Sequence, residues 1–247
     1  MLFAQIILTI QPPTSAESKT KMKTEIKVDK TAIVFGATGL IGSLLLQHLC
    51  ESPVYSQVIT FSRKSIHFNH PKLKEVFNYF TDLSSIKKSL HGDDLFCCLG
   101  TTIKKAGSQE NFRKVDFDLP VQLAKMAEEN KFKGFFVVSS IGADPKSSNF
   151  YLRTKGEMEK EVLDCNIPKI AVVRPSMLLG KRNEFRFGEE VGKIFMKSFS
   201  VLIQGKYRKY RAIKAETVAK ALIFIANDDS CDQDIYESDE LIEIAGK

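Results

Sequence analysis

The sequence lacks the features that mark several large classes of protein. It has five cysteines, two of them adjacent at Cys97 and Cys98, and they follow neither a disulfide framework nor a zinc-ligand spacing. No internal repeat or low-complexity tract is visible. The basic residues form no stripe within a docking motif, so we expect no nucleic-acid partner. Reduced thiols, a reducing compartment and no bound metal are the simplest expectation.

The amino-terminal segment also lacks the marks of a signal peptide or a membrane span. Its short apolar run, in MLFAQIILTIQPP, has no basic region before it and no clear small-residue cleavage site. The run is far shorter than the roughly 20 residues that a membrane span needs. We therefore predict a cytoplasmic protein without membrane contact. Residues 1–28 are expected to be disordered or a mis-assigned leader, with Met22 as an alternative start.

What is present indicates an α/β protein. The chain of 247 residues, with 43% hydrophobic residues and a net charge of +6, can form one full-sized core and has some affinity for anions. From Thr31 onward, short apolar runs alternate with helical stretches, which is typical of a parallel sheet covered by helices on both faces. We predict strands at 31–35, 57–61, 75–80, 94–99, 134–139 and 169–173.

The predicted fold class is a doubly wound parallel sheet in a single domain, residues 29–247, with a small carboxyl-terminal extension. One long helix is predicted over 109–130, in QENFRKVDFDLPVQLAKMAEEN. The extension is expected to hold a helix near 189–199, a second helix in AETVAKALIFIAND and a final strand in ELIEIA. It is too small for a second domain.

A glycine-rich loop follows the first strand directly. In GATGLIG the glycines have GxxGxxG spacing, and a helix opens immediately behind them. One glycine permits the tight turn, one lets the backbone approach a pyrophosphate, and one lets the helix pack close to the strand. The loop therefore predicts a dinucleotide site, with a merely tight turn as the alternative. Its predicted cofactor-binding residues are Gly36, Ala37, Thr38, Gly39, Leu40, Ile41 and Gly42.

The end of the second strand indicates which dinucleotide is bound. A site that prefers NAD usually has an acidic residue there, whereas this chain has Ser62, Arg63 and Lys64. The Arg63 guanidinium could bind a 2′-phosphate through two parallel, charge-assisted hydrogen bonds. We therefore predict NADP (NADPH) as the cofactor, with solvated charges at a strand end as the alternative.

Two further segments are expected at the same edge of the sheet. Asp82, after the third strand, could meet the adenine amino group or could cap the next helix. Gly100 and Thr101, after the fourth strand, are expected to contact the cofactor through their backbone. Cys97 and Cys98 are interpreted as core residues, with redox centres as the alternative.

A tyrosine and a lysine lie four residues apart in YLRTKGEMEK. This spacing places Tyr151 and Lys155 on one helix face, where Met158 and Val162 continue an apolar stripe. A lysine on an inward-facing stripe favours a functional role over a solvated position. A nearby ammonium favours the phenolate, so Lys155 could lower the pKa of Tyr151 from about 10 toward the working range. We predict an acid–base pair, with two ordinary helix residues as the alternative.

Residues beside the pair support this prediction. Gly156 stands in a helix interior, where glycine costs about 1 kcal/mol relative to alanine, and the close approach of a cofactor ring would account for it. Ser139 and Ser140 could hydrogen-bond a substrate carbonyl, or could cap or turn the loop that follows. The predicted catalytic residues are Tyr151, Lys155, Ser139 and Ser140.

Together these residues resemble the short-chain dehydrogenase/reductase superfamily, through GATGLIG, the serine pair and the YxxxK element YLRTK. More narrowly, CCLGTTIKKAGSQENFRKVDFD, VVSSIGADPKSSNFYLRTKGEMEKEV and VVRPSMLLGKRNEFRFGE resemble its atypical NAD(P)-binding members related to the human Tat-interactive protein. The likeness covers 31–225 and implies a Rossmann fold, bound NADPH and an active-site tyrosine and lysine. It also implies a cofactor-contacting arginine that would match Arg186, with an ordinary loop arginine as the alternative.

The chain departs from the superfamily pattern in two places. Many members carry an asparagine in the helix after the fourth strand, where this chain has Asp116 in KVDFD, so their proton relay does not carry over directly. The tail after Gly180 is short for a sugar-nucleotide epimerase, which argues against that activity.

Two classes of function remain open. The first is an NADPH-dependent oxidoreductase that transfers hydride to a small-molecule carbonyl substrate while Tyr151 acts as general acid or base. The second is an NADPH-binding regulatory or scaffold protein that acts through protein partners, as the family name suggests. Epimerase-like activity is a further alternative. A pure sensor has no need of Tyr151, which favours the enzyme, whereas the substrate and the oligomeric state cannot be read from the sequence.

Overall fold

The strands of the protein form one parallel sheet and a small separate pair. The computed structural model describes residues 29–78, 83–179 and 205–247. Within these ranges the sheet contains seven strands, which are β1 Lys30–Phe35, β2 Tyr55–Ser62, β3 Leu73–Phe77, β4 Asp94–Cys97, β5 Gly134–Val138, β6 Lys169–Arg174 and β9 Ile235–Glu237. The separate pair consists of β7 Leu178–Leu179 and β8 Ile213–Lys214.

Helices connect the strands and cover the sheet. The described helices are α1 Leu40–Glu51, α2 Leu83–Ser89, α3 Ile103–Ala106, α4 Gln109–Arg113, α5 Leu119–Glu129, α6 Phe150–Leu163, α7 Ala215–Asn227 and α8 Ser238–Ala245, with a π-helical turn at Lys114–Asp118 and a 3₁₀ helix at Gly205–Tyr210. In the part of the chain that the structure describes, none of these helices has the length and apolar character needed to span a membrane.

The strand order confirms the doubly wound parallel fold. It is β3-β2-β1-β4-β5-β6-β9, and every neighbouring pair is parallel. The order runs outward in opposite directions from β1 and β4, so the chain switches sides between these two strands. In such folds the switch point leaves a crevice at the carboxyl ends of the strands, where ligands bind.

Alternate residues of each central strand face two separate cores. Ala32 and Val34 of β1 are fully buried against α1 and α7, whereas Ile33 and Phe35 are fully buried on the other face, with α5 and α6. Strands that bury both faces read as continuous apolar runs in the sequence. The six predicted strands all lie at or within a few residues of observed ones. Burial on both faces accounts for the central strands, whereas β3 is only partly buried.

The carboxyl-terminal extension belongs to the sheet, and its final element differs from the prediction. The prediction of a strand in ELIEIA is wrong, because these residues lie in α8, and the strand is β9, immediately before it. Glu237 and Glu240 form a capping box that starts the helix, while Leu241 and Ile244 bury one of its faces. The helix predicted in AETVAKALIFIAND is confirmed as α7. The helix predicted near 189–199 and the segment 1–28 lie outside the described residues.

The long helix predicted over 109–130 is divided by a π-helical turn. The helical course is α4, then Lys114–Asp118 with π geometry, then α5. Pro120 explains the division, because proline has no N–H to donate to the carbonyl of Asp116 four residues earlier, and its ring would clash with that carbonyl. A wider turn relieves both problems, and such turns occur frequently at functional sites.

Gly156 lets α6 pack directly on the loop that follows β5. A Cβ atom at this position would lie 2.3 Å from the carbonyl carbon of Asp144 and 2.3 Å from the nitrogen of Pro145. The prediction that Gly156 makes room for a cofactor ring is therefore wrong, since backbone fills that space. The contact holds the loop after Ser139 and Ser140 against the helix.

Substituting Gly156 tests this packing. We expect Gly156→Ala to lower the free energy of unfolding by about 1–3 kcal/mol, because the overlap outweighs the roughly 1 kcal/mol that alanine gains in helix propensity. Chemical denaturation measures the change. Gly246→Ala is the matched control, since the nearest atoms there are 3.6 Å from the added Cβ and a change within about 0.5 kcal/mol is expected. A Gly156→Ala protein as stable as the wild type would contradict the packing argument.

Candidate active site

The glycine loop has the geometry of a phosphate cradle. Gly36 has a φ of 83°, and a Cβ there would lie 2.5 Å from the carbonyl oxygen of Cys98. A Cβ at Gly42 would lie 2.2 Å from the carbonyl oxygen of Gly36, so glycine is what allows α1 to begin so close to β1. Gly39 is the N-cap residue and supplies no side chain to the first-turn N–H groups. A pyrophosphate therefore fits the segment 36–42, at the positive end of α1.

The predicted specificity residues lie beside this loop. β1 and β2 pair in register, with Phe35 opposite Phe61, so residues 62–64 run alongside the start of the glycine loop. Arg63 and Lys64 are exposed. Ser62 is buried, and its hydroxyl donates to the carbonyl of Lys64 at 2.8 Å, which shapes the strand end. Of these three residues, Arg63 and Lys64 therefore point their charges toward the solvent beside the glycine loop.

Tyr151 and Lys155 lie in the amino-terminal half of α6. The Asn149 side chain accepts a hydrogen bond from the Leu152 N–H at 3.1 Å and so starts the helix just before the tyrosine. The Tyr151 ring packs against Phe112, with ring centroids 5.6 Å apart. Lys155 is only 3% exposed, in agreement with its predicted inward position.

Asp116 is the residue that sequence reasoning missed. It is 1% exposed, and its Oδ1 lies 2.8 Å from the Lys155 ammonium nitrogen. Its Oδ2 accepts a hydrogen bond from the Thr101 N–H at 2.9 Å. Asp116 was noted in the sequence only because it replaces an asparagine. The sequence did contain a signal for this role: a carboxylate between the apolar Val115 and Phe117, four residues before a proline that disturbs the helix.

The charges of the site act on both predicted acid–base groups. Burial acts to lower the pKa of Lys155, but Asp116 and Tyr151 outweigh it, so the pKa lies above its ordinary value. For Tyr151, burial raises the pKa and Asp116 adds to this effect, while Lys155 and a hydrogen bond with Ser140 lower it. The net pKa of Tyr151 is raised. Lys155 therefore acts in the predicted direction, but burial decides the outcome.

The two serines have different surroundings. Ser139, at the end of β5, is 6% exposed, and its hydroxyl has no hydrogen-bond partner among the described residues. Ser140 is 1% exposed, hydrogen-bonds Tyr151, and lies with its hydroxyl 3.4 Å from the carbonyl of Ile141. A buried hydroxyl without a partner is costly unless a ligand or water supplies one. Ser139 thus has an unused hydroxyl at the carboxyl edge.

One cavity brings these groups together. It lies at the carboxyl edge of the sheet, beside the start of α1, and its lining includes Ile41, Thr101, Ser139, Tyr151 and Lys155. Gly100 and Asp116 also contribute to the lining. Predicted residues from the glycine loop, the turn after β4, the end of β5 and α6 are therefore neighbours in space.

The adjacent cysteines belong to the core. Cys97 is fully buried and Cys98 is 9% exposed. Burial raises the pKa of the Cys97 thiol to about 12, and it raises that of Cys98 as well. A thiol with a raised pKa is a poor nucleophile at neutral pH. This environment favours the core interpretation over a redox centre.

Two predicted cofactor contacts lie outside the described residues. These are Asp82 and Arg186. Among the described residues, Arg174 at the end of β6 donates from its Nε to the buried carboxylate of Glu159, at 3.0 and 3.2 Å to the two oxygens. This pair ties β6 to α6 one turn beyond Lys155.

Comparison with known families and proteins agrees with the geometry. Residues 36–229 match the family model described as NAD(P)H-binding. The chain is 32% identical over 205 residues to "Protein FMP52, mitochondrial" of Debaryomyces hansenii, covering 80% of this chain and 88% of that protein. It is 31% identical over 212 residues to "Protein HTATIP2" of Rattus norvegicus, covering 84% of this chain and 86% of that protein.

Solved structures show the same fold at lower sequence identity. The Bordetella bronchiseptica enzyme WbmF, in complex with NAD⁺, aligns with a TM-score of 0.62 and 16% identity, over 89% of this chain and 77% of that chain. The UDP-N-acetylglucosamine 4-epimerase of Methanobrevibacter ruminantium aligns with a TM-score of 0.61 and 18% identity, over 85% and 75% of the two chains. At these identities the likeness concerns the fold alone.

Proposed function

The chain belongs to the NAD(P)H-binding family, among the atypical short-chain dehydrogenases/reductases, and from this premise we propose that it is an NADPH-dependent reductase of a small carbonyl compound. The observation that carries the proposal is the grouping of Tyr151, Lys155 and the Ser139 hydroxyl, which has no partner in the described part of the chain, around one cavity beside the glycine loop. A protein that only senses NADPH needs the loop but has no use for a half-buried tyrosine and a buried lysine and serine beside it.

Each residue has a definite task in this proposal. The nicotinamide, when bound, supplies the hydride to the carbonyl carbon. Ser139 donates its hydroxyl hydrogen to the substrate oxygen and orients the carbonyl. Tyr151 donates its proton to the same oxygen as negative charge develops there. Lys155 holds the cofactor ribose and stabilises the phenolate that Tyr151 becomes.

The preference for NADPH follows from charge at the end of β2. Arg63 and Lys64 are exposed beside the glycine loop, where an acidic side chain would serve a ribose hydroxyl and a cation serves a phosphate. A guanidinium can form two parallel hydrogen bonds to a phosphate, which ammonium groups cannot match in geometry. We therefore assign the 2′-phosphate contact to Arg63.

Reversing the charge of Arg63 tests the cofactor assignment. We expect Arg63→Glu to weaken NADPH binding at least about tenfold while NADH binding changes little, because a charge-assisted hydrogen bond contributes about 1.5–3 kcal/mol. Fluorescence titration with both cofactors measures this. Lys74→Glu, at an exposed position of β3, is the charge-matched control. Equal affinity of the wild type for NADPH and NADH would refute the assignment.

Removing the Tyr151 hydroxyl tests the reductase proposal. We expect Tyr151→Phe to bind NADPH within about twofold of the wild type but to lose at least about 100-fold in turnover on a panel of aldehydes and ketones, because the proton donor is gone. Tyr236→Phe, which removes a buried hydroxyl in β9, controls for the loss of a tyrosine hydroxyl.

The same experiment separates the alternatives. If the wild type reduces no carbonyl and its capture of protein partners depends on NADPH, the chain is a regulatory or scaffold protein instead. Interconversion of nucleotide sugars without net reduction would support an epimerase. The solved epimerases share the fold, which by itself assigns no activity.

The cytoplasmic location is also part of the proposal. It rests on the five free cysteines, of which four are buried, because free thiols are typical of a reducing compartment. The printed name of the FMP52 relatives places those proteins in mitochondria. We expect a carboxyl-terminal fluorescent fusion of the full chain to be diffuse in the cytoplasm, and co-localisation with a mitochondrial marker would overturn this expectation.

A further inference from the structure

Asp116 joins the two elements that the proposed reductase site depends on. One carboxylate oxygen binds the Lys155 ammonium at 2.8 Å, and the other accepts the Thr101 N–H at 2.9 Å. We propose that Asp116 is the positioning carboxylate of this site: it fixes Lys155 against the turn after β4 and, through its charge, keeps Tyr151 and Lys155 in their protonated forms. Its use in catalysis rests on the proposed function, but its test does not require turnover.

The local sequence explains why the carboxylate reaches both partners. Pro120 forces the π-helical turn, which carries Asp116 in its middle, between α4 and α5. Arg113, at the end of α4, binds Glu157 of α6 at 2.5 Å and holds the turn beside that helix. Gly100 lies directly beside the carboxylate, since a Cβ there would be 3.5 Å from Asp116 Oδ1, an ordinary contact distance. The carboxylate is therefore held from both sides.

The charge of Asp116 has opposite consequences for its two neighbours. A buried lysine without a partner loses its proton readily, because burial penalises the ammonium. A carboxylate at 2.8 Å compensates for this penalty and keeps Lys155 charged. Burial is the main cause of the raised pKa of Tyr151, and the same negative charge adds to it by opposing a second anion there. The pair thus stays as phenol and ammonium at neutral pH.

Other groups around the pair do not replace Asp116. Among the described residues, the titratable side chains around Tyr151, Lys155 and their cavity are Cys97, Cys98, Lys105, Asp116 and Tyr210, and the hydroxyl groups are those of Thr101, Thr102, Ser139 and Ser140. Among these, Asp116 supplies the carboxylate, whereas thiols and phenols ordinarily ionise only above neutral pH. The compensating charge therefore comes from the π-helical turn.

This arrangement suits the reductive direction. As hydride from NADPH reaches the carbonyl carbon, the O–H bond of Tyr151 breaks and the proton bonds to the substrate oxygen, which gives an alcohol. The phenolate left on Tyr151 then takes a proton from solvent. A tyrosine that is protonated before the reaction is ready to donate, whereas the reverse reaction would first have to remove its proton. A neutral asparagine at position 116 would not disfavour ionisation of Tyr151 and so would not favour reduction over the reverse reaction.

The test is Asp116→Asn, with Asp118→Asn as matched control. Asp118 lies in the same π-helical turn, is half-buried and is not among the groups that shift the pKa of Tyr151 or Lys155, so the control removes the same charge elsewhere. In Asp116→Asn, we expect the first proton to leave the Tyr151–Lys155 pair at a pH at least about one unit lower than in the wild type. Asp118→Asn should behave like the wild type.

Two readouts identify the group that loses the proton. The near-ultraviolet absorbance of phenolate reports Tyr151 after subtraction of the same titration with Tyr151→Phe in each background. The pH dependence of NADPH affinity reports Lys155, because the uncharged amine no longer attracts the cofactor. Earlier deprotonation by either readout supports the proposal, and unchanged titrations in both would overturn it. An absence of carbonyl reduction would count against the proposed function alone, since these titrations need no substrate.

A double-mutant cycle keeps the test decisive if Asp116→Asn folds poorly. We expect Asp116→Asn and Lys155→Met each to lower Tm, because each leaves one buried charge without its partner. The double variant should recover part of that loss, because neither charge remains. Losses that simply add would show that the two residues are not coupled and would overturn the proposal.

Discussion

The constraint on which the whole site depends is that parallel strands all end at one edge of the sheet. Phe35 of β1 pairs with Cys97 of β4, which pairs with Val137 of β5, so the segments after these strands begin at the same level. Those segments carry the glycine loop, the Thr101 turn and Ser139. Because the strand order diverges from β1 and β4, the connections after these two strands lead to opposite sides, which is the arrangement that leaves a crevice in such folds. The fold therefore gathers residues that are 100 positions apart in the chain.

Within that crevice, one buried ion pair organises the chemistry. Taking two charges out of water costs more than most ion pairs return, so the contact between Asp116 and Lys155 is a poor source of stability. The ion pair matters more for the geometry and charge of the site than for the stability of the fold. It fixes the ammonium in one position, ties it to the backbone at Thr101 and sets the charge that Tyr151 experiences. In the proposed reductase, burial keeps the tyrosine protonated as an acid, and this pair holds a charged lysine beside it.

The sequence predicted most of the fold and much of the site because those signals are local. Buried parallel strands are continuous apolar runs, and GATGLIG combines a turn and a helix start within seven residues. The errors arose where residues outside the segment itself decide its structure. ELIEIA is apolar enough for a strand, but the capping box and one buried face make it a helix. Gly156 suggested space for a ligand, whereas the backbone at Asp144 occupies that space. Asp82 and Arg186 stay predictions.

By itself, the sequence determined the class of fold, the phosphate-binding loop, the basic end of β2 and the spacing of Tyr151 and Lys155, since each depends on neighbours a few residues away. Only the tertiary structure decided what surrounds the pair. It brought Asp116 to Lys155 across 39 positions, left the Ser139 hydroxyl without a partner among the residues that the structure describes, and desolvated Tyr151 enough to raise its pKa. Spacing along a helix brings two side chains together, but the charges and solvent around them come from other segments of the chain.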